Sequence, residues 1–255
     1  MLKTFEMIIP TTNTLRTLRV FDPETCSETR PCDILLMHDA QNLFDDTMSY
    51  HDVSWRVIEG LEKANVKNMI IVGIDNSPTE RMNEYSPYET NIELKDRFIK
   101  GTGGKGFIYI DFIANDVLPE IKSRYHTSEN YYMAGSSMGA YISMFAAMRY
   151  PDLFKGIGCF SIASWFNEVK FLNDLNRSSI NLNTSFFISV GDQETSSDDV
   201  KDFPEIYINN SKHVYETLEK KGLKKLSFNI VKGKHNERQW MTLFPDFINF
   251  ITKSK

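Results

Sequence analysis

Residues 131–149 constrain the fold of this chain more than any other stretch. The apolar run Tyr131-Tyr132-Met133-Ala134 passes without a spacer into Gly135-Ser136-Ser137-Met138-Gly139, and the apolar segment Ala140–Arg149 follows until Pro151 stops it. A buried strand that turns straight into a helix needs small residues on either side of the turn, because the two backbones approach closely. The residue at the turn is left in strained geometry with its side chain exposed. Only Ser137 has a glycine two residues away on both sides. The same geometry points the next backbone N–H, that of Met138, toward a developing oxyanion. Ser137 is therefore the candidate nucleophile.

The remaining sequence supplies a sheet for this strand to sit in. Short apolar runs alternate with longer amphipathic ones, which is the pattern of βαβ units around a mostly parallel sheet flanked by helices. Thr4–Ile9 and Thr14–Phe21 read as an antiparallel starting pair. Asp33–Met37, Asn68–Ile74, Asn130–Met133, Gly156–Ile162, Thr184–Val190 and Leu226–Val231 read as further strands. Helices are expected at Val53–Ala64, Phe107–Tyr125, Ala140–Arg149, Ile206–Lys221 and Glu237–Thr252, the last tolerating Pro245 as a kink. Asp75–Thr102 and Ser164–Leu182 read as long loops beside the site. With 255 residues and no repeat or Pro/Ser-rich linker, residues 1–255 are expected to form one domain.

Several function classes are excluded on charge and hydropathy. A formal net charge of −5 leaves no basic footprint for nucleic acid or an anionic membrane. No stretch approaches the roughly 18 apolar residues of a membrane span. The N-terminal segment turns polar at Thr11 and carries no signal-like apolar core. Cys26, Cys32 and Cys159 are odd in number and at no metal spacing, so reduced thiols in a cytoplasmic protein are expected. Neither metal nor cofactor is required.

Serine becomes nucleophilic when a neighbouring base takes its proton. On a strand–turn–helix serine the acid and then the base follow in chain order. Of the two downstream histidines, His213 falls inside an amphipathic segment and reads as a solvated helical residue. His235, in Lys232-Gly233-Lys234-His235-Asn236, lies after the last strand at the same sheet edge as the turn. It is the candidate base. The acid should leave the strand Thr184–Val190 within Gly191-Asp192-Gln193-Glu194. Asp192 and Glu194 both reach, and Glu194 is preferred for lying three residues past the strand-ending glycine. Asp198 and Asp199 read as solvated charges.

A second oxyanion donor should come from the loop after the third strand, Met37-His38-Asp39-Ala40-Gln41-Asn42. The N–H of Gln41 is the candidate, ahead of Ala40. His38 is expected to brace the loop by hydrogen bonds, and Asp39 either binds a substrate hydroxyl or braces the loop as well. Trp165 either lines the acyl or alcohol pocket or belongs to the core.

Four separated stretches carry a resemblance: His38-Asp39-Ala40-Gln41-Asn42-Leu43-Phe44-Asp45-Asp46, Arg81-Met82-Asn83-Glu84-Tyr85-Ser86-Pro87, Gly135–Gly139, and Gly233-Lys234-His235-Asn236-Glu237 with Trp240. In this order they resemble the Putative esterase family of α/β-hydrolases, which includes enterochelin-type, feruloyl and acetyl-xylan esterases, S-formylglutathione hydrolases and mycolyltransferases. The resemblance implies a minimal α/β-hydrolase without a lid domain, with Ser137, Glu194 or Asp192, and His235 as triad. It implies a small-molecule ester substrate. Related chains with a His-Asp-Gly-Gln-Asn form carry glycine where this one has Ala40, and a positive φ at that position would strain the oxyanion loop. An acyltransferase using the same residues and a non-catalytic binding module are the alternatives to a serine esterase.

Two further signals read as structural. Gly101-Thr102-Gly103-Gly104-Lys105-Gly106 lacks the phosphate-loop spacing and a preceding strand, so a flexible loop at the pocket rim is expected. Asp45-Asp46 reads as a solvated turn or helix start.

Overall fold

The computed structural model describes residues 1–50, 52–90, 101–197 and 200–253. Strands β1 (Leu2–Ile9) and β2 (Thr14–Phe21) pair antiparallel, as the alternating sequence predicts. They are followed by β3 (Cys32–His38), β4 (Met69–Ile74), β5 (Thr127–Ser136), β6 (Phe154–Phe160), β7 (Ser185–Gln193) and β8 (Leu226–Lys234). The eight form one sheet in the order β1-β2-β4-β3-β5-β6-β7-β8. From β4 through β8 every neighbouring pair is parallel, so the C-terminal ends of β3, β5, β7 and β8 open onto one edge.

The helices are α1 (Val57–Lys63), α2 (Arg81–Glu84), α3 (Gly106–Phe112), α4 (Leu118–Arg124), α5 (Met138–Arg149), α6 (Glu168–Arg177), α7 (Phe203–Lys220) and α8 (Glu237–Thr252). A single π-helical stretch, Ile113–Val117, joins α3 to α4 in place of the one unbroken helix expected at Phe107–Tyr125. Strand β3 shows why helices cover both faces. Ile34 and Leu36 point into a core shared with α3, α4, α5 and α7, while Leu35 and Met37 point into a second core with α1 and α8. Alternate side chains of a strand face opposite sides, so a strand apolar at every position must be buried twice. Pro245 lies inside α8, as expected.

Three expectations change. Ser164–Leu182 is not loop throughout: a 3₁₀ turn at Ser164–Asn167 runs into α6, whose Phe171 and Leu175 are buried one turn apart. Of its four apolar residues Val169 is exposed and Leu172 half-buried, so the buried stripe is short and the sequence around it polar. The helix expected at Val53–Ala64 starts only at Val57, because Arg56 takes φ 47° and the Ser54 N–H and hydroxyl are held by Asp46 in the preceding extended segment. Finally, the three cysteines are not all reduced thiols. Ser27 and Arg30 exchange backbone hydrogen bonds, folding the chain back so that Cys26 and Cys32 stand 5.4 Å apart at Cα and form a disulfide. Cys159 remains free and buried, and burial pushes its thiol pKa up. Asp198, Asp199 and residues 91–100 of the Asp75–Thr102 loop lie outside the described residues.

Unfolding without reductant should expose one alkylatable thiol, that of Cys159, and reduction should expose all three. Intact mass after iodoacetamide treatment checks this, and three modified cysteines before reduction would contradict the pairing.

Candidate active site

Strand β5 delivers Ser137 to the sheet edge. Its backbone has φ 55° and ψ −119°, a strained conformation costing about 1–3 kcal/mol that surrounding bonds must offset. Ser137 N–H donates to Phe160 O at 2.9 Å, and Ser137 O accepts from the N–H groups of Tyr141 (3.1 Å) and Ala163 (3.2 Å). Gly135 is required here, since a Cβ on it would stand 2.6 Å from the backbone of Gly139. Met138 is the first residue of α5 and Gln41 the second of a 3₁₀ turn at Ala40–Asn42, so neither N–H has an acceptor within its own helix. Both residues line the same cavity of about 800 Å³ as Ser137 and His235.

The candidate base and acid meet where β7 and β8 end. His235 Nδ1 lies 2.5 Å from Glu194 Oε2. Glu194 is fully buried, and its other oxygen accepts from Gly191 N–H (2.7 Å) and the Ser161 hydroxyl (2.5 Å). Trp240 Nε1–H in turn donates to Ser161 Oγ at 2.9 Å. One carboxylate oxygen is thus anchored and the other is left to orient the imidazole. The Trp240 ring also stands edge-on to His235 at 5.1 Å. Asp192 turns the other way, accepting from Gly233 N–H at 3.0 Å. A register shift between Gly191 and Gln193 separates the two acids. Ser161, itself at φ 53°, belongs to the site without any signal of it in the sequence.

Residues expected in the oxyanion loop occupy distinct roles. His38 is buried, with Nε2 3.1 Å from Ser143 Oγ and Nδ1 2.9 Å from Tyr109 Oη. Because the Ser143 hydroxyl donates to Gly139 O, it accepts from His38 Nε2–H, and Nδ1 accepts from tyrosine. His38 therefore ties the end of β3 to α5. Desolvation lowers its pKa to about 4. Asp39 lines the cavity and braces it at once. Its carboxylate accepts from Arg81 Nε and the terminal Nη2 (2.7 and 2.9 Å) and from Asn76 (2.5 Å). Burial would raise its pKa, but the charge and hydrogen bonds of Arg81 and the bond from Asn76 hold it below the ordinary value.

Positive φ falls on Asp39, at 56°, and not on Ala40, so alanine does not strain the loop. Its methyl instead lies over Gly73. Trp165 is buried and lines the cavity, packed on Phe203 at 5.3 Å. His213 is exposed and pairs with Glu168. Asp45 caps a 3₁₀ turn, and Asp46 pairs with Arg56. The glycine-rich stretch does not reach the rim of this cavity: Gly103 and Gly104, both at positive φ, pack against Ser86–Glu89 before α3.

The Putative esterase family model matches residues 9–251. The chain is 29% identical to the protein YbbA of Bacillus subtilis over 204 residues, covering 76% of this chain and 78% of YbbA. Its fold is similar to that of an IroE-like serine hydrolase from Shewanella oneidensis, with TM-score 0.76 at 19% identity, covering 98% of this chain and 79% of the other. It is also similar to the siderophore hydrolase EstA of Aspergillus nidulans, with TM-score 0.72 at 16% identity over 99% and 95% of the two chains.

Neutral His38 gives a pH prediction. The unfolded chain takes up this proton near the ordinary value of 6.5, whereas the native imidazole stays neutral down to about 4. The stabilisation is present above pH 6.5 and is lost as pH falls toward 4, by an amount on the order of 3 kcal/mol. Urea midpoints should drop over that window, and His38→Gln should be less stable at pH 7 with a flatter decline.

Proposed function

Because this chain belongs to the Putative esterase family, which places it among carboxylic ester hydrolases, we propose that it is a serine esterase working through an acyl-enzyme on Ser137. The observation that carries the reading is the short contact between Glu194 and His235 on the cavity that also contains the strained Ser137. Ser137 Oγ attacks the ester carbonyl as His235 Nε2 accepts its proton. Glu194 holds the Nδ1–H tautomer and stabilises the imidazolium. The N–H groups of Met138 and Gln41 receive the oxyanion. His235 then protonates the departing alcohol, giving an acyl-serine, and water attacks that ester with His235 again as base. No step needs a metal or cofactor.

The cavity favours a small ester with a flat or apolar part. Trp165, Met48, Pro78 and Met82 supply apolar wall, while Asn76 and Arg81 add polar groups beside Asp39. Phenolic and carbohydrate-linked esters fit such a mixed surface. Asp39 fixes the Arg81 guanidinium against the cavity, and one lone pair of its Oδ2 is left for a substrate hydroxyl. No helix among the described residues is long and apolar enough to cross a membrane.

A fluorescent fluorophosphonate should add once to the wild type and not to Ser137→Ala, read as intact mass, and hydrolysis of p-nitrophenyl acetate should fall by about 10⁶ in kcat. A folded wild type that takes no label would overturn the reading. Glu194→Gln should cost far more than Asp192→Asn; the opposite ranking would move the acid to Asp192.

A further inference from the structure

The oxyanion loop and the candidate base are carried by strands that do not touch. Strand β3, which leads into Ala40–Asn42, and β8, which leads into His235, are separated in the sheet by β5, β6 and β7. At the ordinary spacing of neighbouring strands they stand about 19 Å apart, so no backbone ladder sets one against the other. Their loops nevertheless meet at the cavity. Asn42 Nδ2–H donates to Glu237 Oε1 at 3.2 Å, across 195 positions of sequence. Glu237 is buried, opens α8 and lies two residues past His235. Asn42 directly follows Gln41, and these four residues line the cavity that contains Ser137.

The partners of the Asn42 amide fix which way it faces. A backbone N–H only donates, and an ionised carboxylate only accepts. The Tyr50 N–H donates to Asn42 Oδ1 at 3.1 Å, which leaves the Nδ2 hydrogens for Glu237. The Asn42 backbone is held as well, its N–H donating to Asp39 O and its carbonyl accepting from Trp55 N–H, both at 2.8 Å. The Trp55 ring packs on Trp240 at 5.7 Å, and Trp240 stands edge-on to His235. One residue thus joins the oxyanion turn, the cavity rim at Tyr50 and the start of α8. Aspartate would accept from Tyr50 equally well but would offer Glu237 no hydrogen, so the donor at Nδ2 is what asparagine supplies here.

We propose that Asn42 is a positioning residue: its side chain fixes the Gln41 N–H relative to His235 by tying the turn of one to the turn of the other through Glu237. This rests on the serine-esterase reading. An oxyanion donor acts only where charge develops, and a misplacement of about 1 Å costs on the order of 10² in rate. Asn42 takes no proton and forms no covalent bond. Its effect is present before substrate binds and is felt in acylation and deacylation alike, since each passes through an oxyanion.

The test compares Asn42→Asp and the double variant Asn42→Asp/Glu237→Gln with the wild type. Active sites are counted by fluorophosphonate adduct, and rates are given per labelled site. In Asn42→Asp two carboxylates face one another. The kcat for p-nitrophenyl acetate and the second-order labelling rate of Ser137 should fall together by about ten- to a hundredfold, with KM nearly unchanged. The deficit against the wild type should shrink as pH falls, because a proton shared by the two carboxylates restores the bridge. The double variant exchanges amide and carboxylate across the same gap, and its rates should return to within about threefold of the wild type. Wild-type rates per site in Asn42→Asp, with any loss confined to Tm and the number of labelled sites, would overturn the inference and leave the esterase reading intact. A double variant as slow as the single one would overturn it too. Where Asn42→Asp does not fold, the double variant carries the test alone: near wild-type rates support the bridge, and an unfolded or slow protein overturns it. A wild type that takes no label would remove the esterase reading and this inference together.

Discussion

The close approach of β5 to α5 is the constraint on which the rest depends. Gly135 lets the strand end lie against the Gly139 backbone at the helix start, and between them Ser137 takes a conformation that no ordinary residue prefers. The strain is held by hydrogen bonds from two directions, to Phe160 at the end of β6 and to Ala163 beyond it. The same segment at the end of β6 places Ser161, which holds Glu194. The elbow and Glu194 are therefore braced through one turn of chain, and a change in that turn would reach Ser137 and His235 by separate routes.

Much of this is legible in the amino-acid sequence alone. The elbow announces itself because its chemistry demands small residues at fixed spacing, and the strands announce themselves because doubly buried strands are apolar at every position. His235 follows from chain order and the sheet edge. The acid is less legible. Asp192 and Glu194 differ by two residues, which on a regular strand would put both on one face; the register shift after Gly191 sends one to Gly233 and the other beneath His235. Local sequence does not declare such a shift. Ser161, and Tyr207 whose ring packs on His235 at 4.9 Å, are invisible for a related reason. A serine in an apolar run and a tyrosine on an amphipathic helix have the same appearance in a core as in a site, and only tertiary contact tells them apart. The Cys26–Cys32 pairing depends on a tight turn at Ser27–Arg30 that residue spacing alone does not reveal.

Electrostatics divide the sheet edge into two regions. Around Asp39, a bidentate pair with Arg81 and a bond from Asn76 hold a buried carboxylate charged and immobile. Behind the oxyanion loop, Arg16 and Glu84 form a second buried pair, linking β2 to α2, the short helix that presents Arg81. The cavity wall is in this way tied to the antiparallel corner of the sheet. Around His235 the surroundings are aromatic instead, with Tyr207 and Trp240 enclosing the imidazole and Glu194 as its near acid. The fixed polar wall and the partly buried His235 line the same cavity, an arrangement that would strengthen a developing charge without reorganisation.

The contact between Ala40 and Gly73 carries a consequence for sequence change. A Cβ at position 73 would stand 2.6 Å from the methyl of Ala40, so the two positions share room for one methyl group. Alanine at 40 is tolerated only while position 73 is glycine, and the His-Asp-Gly-Gln-Asn form of the loop would remove the nearest contact, leaving Leu43 Cδ1 at 3.0 Å and Phe44 Cε2 at 3.3 Å to shift. The two positions are thus epistatic. A lineage exchanging the methyl between them must pass through the form with glycine at both, because the form with alanine at both overfills the space beneath the oxyanion loop. The order in which the substitutions arise, and not only their final combination, is constrained by the crowding at position 73.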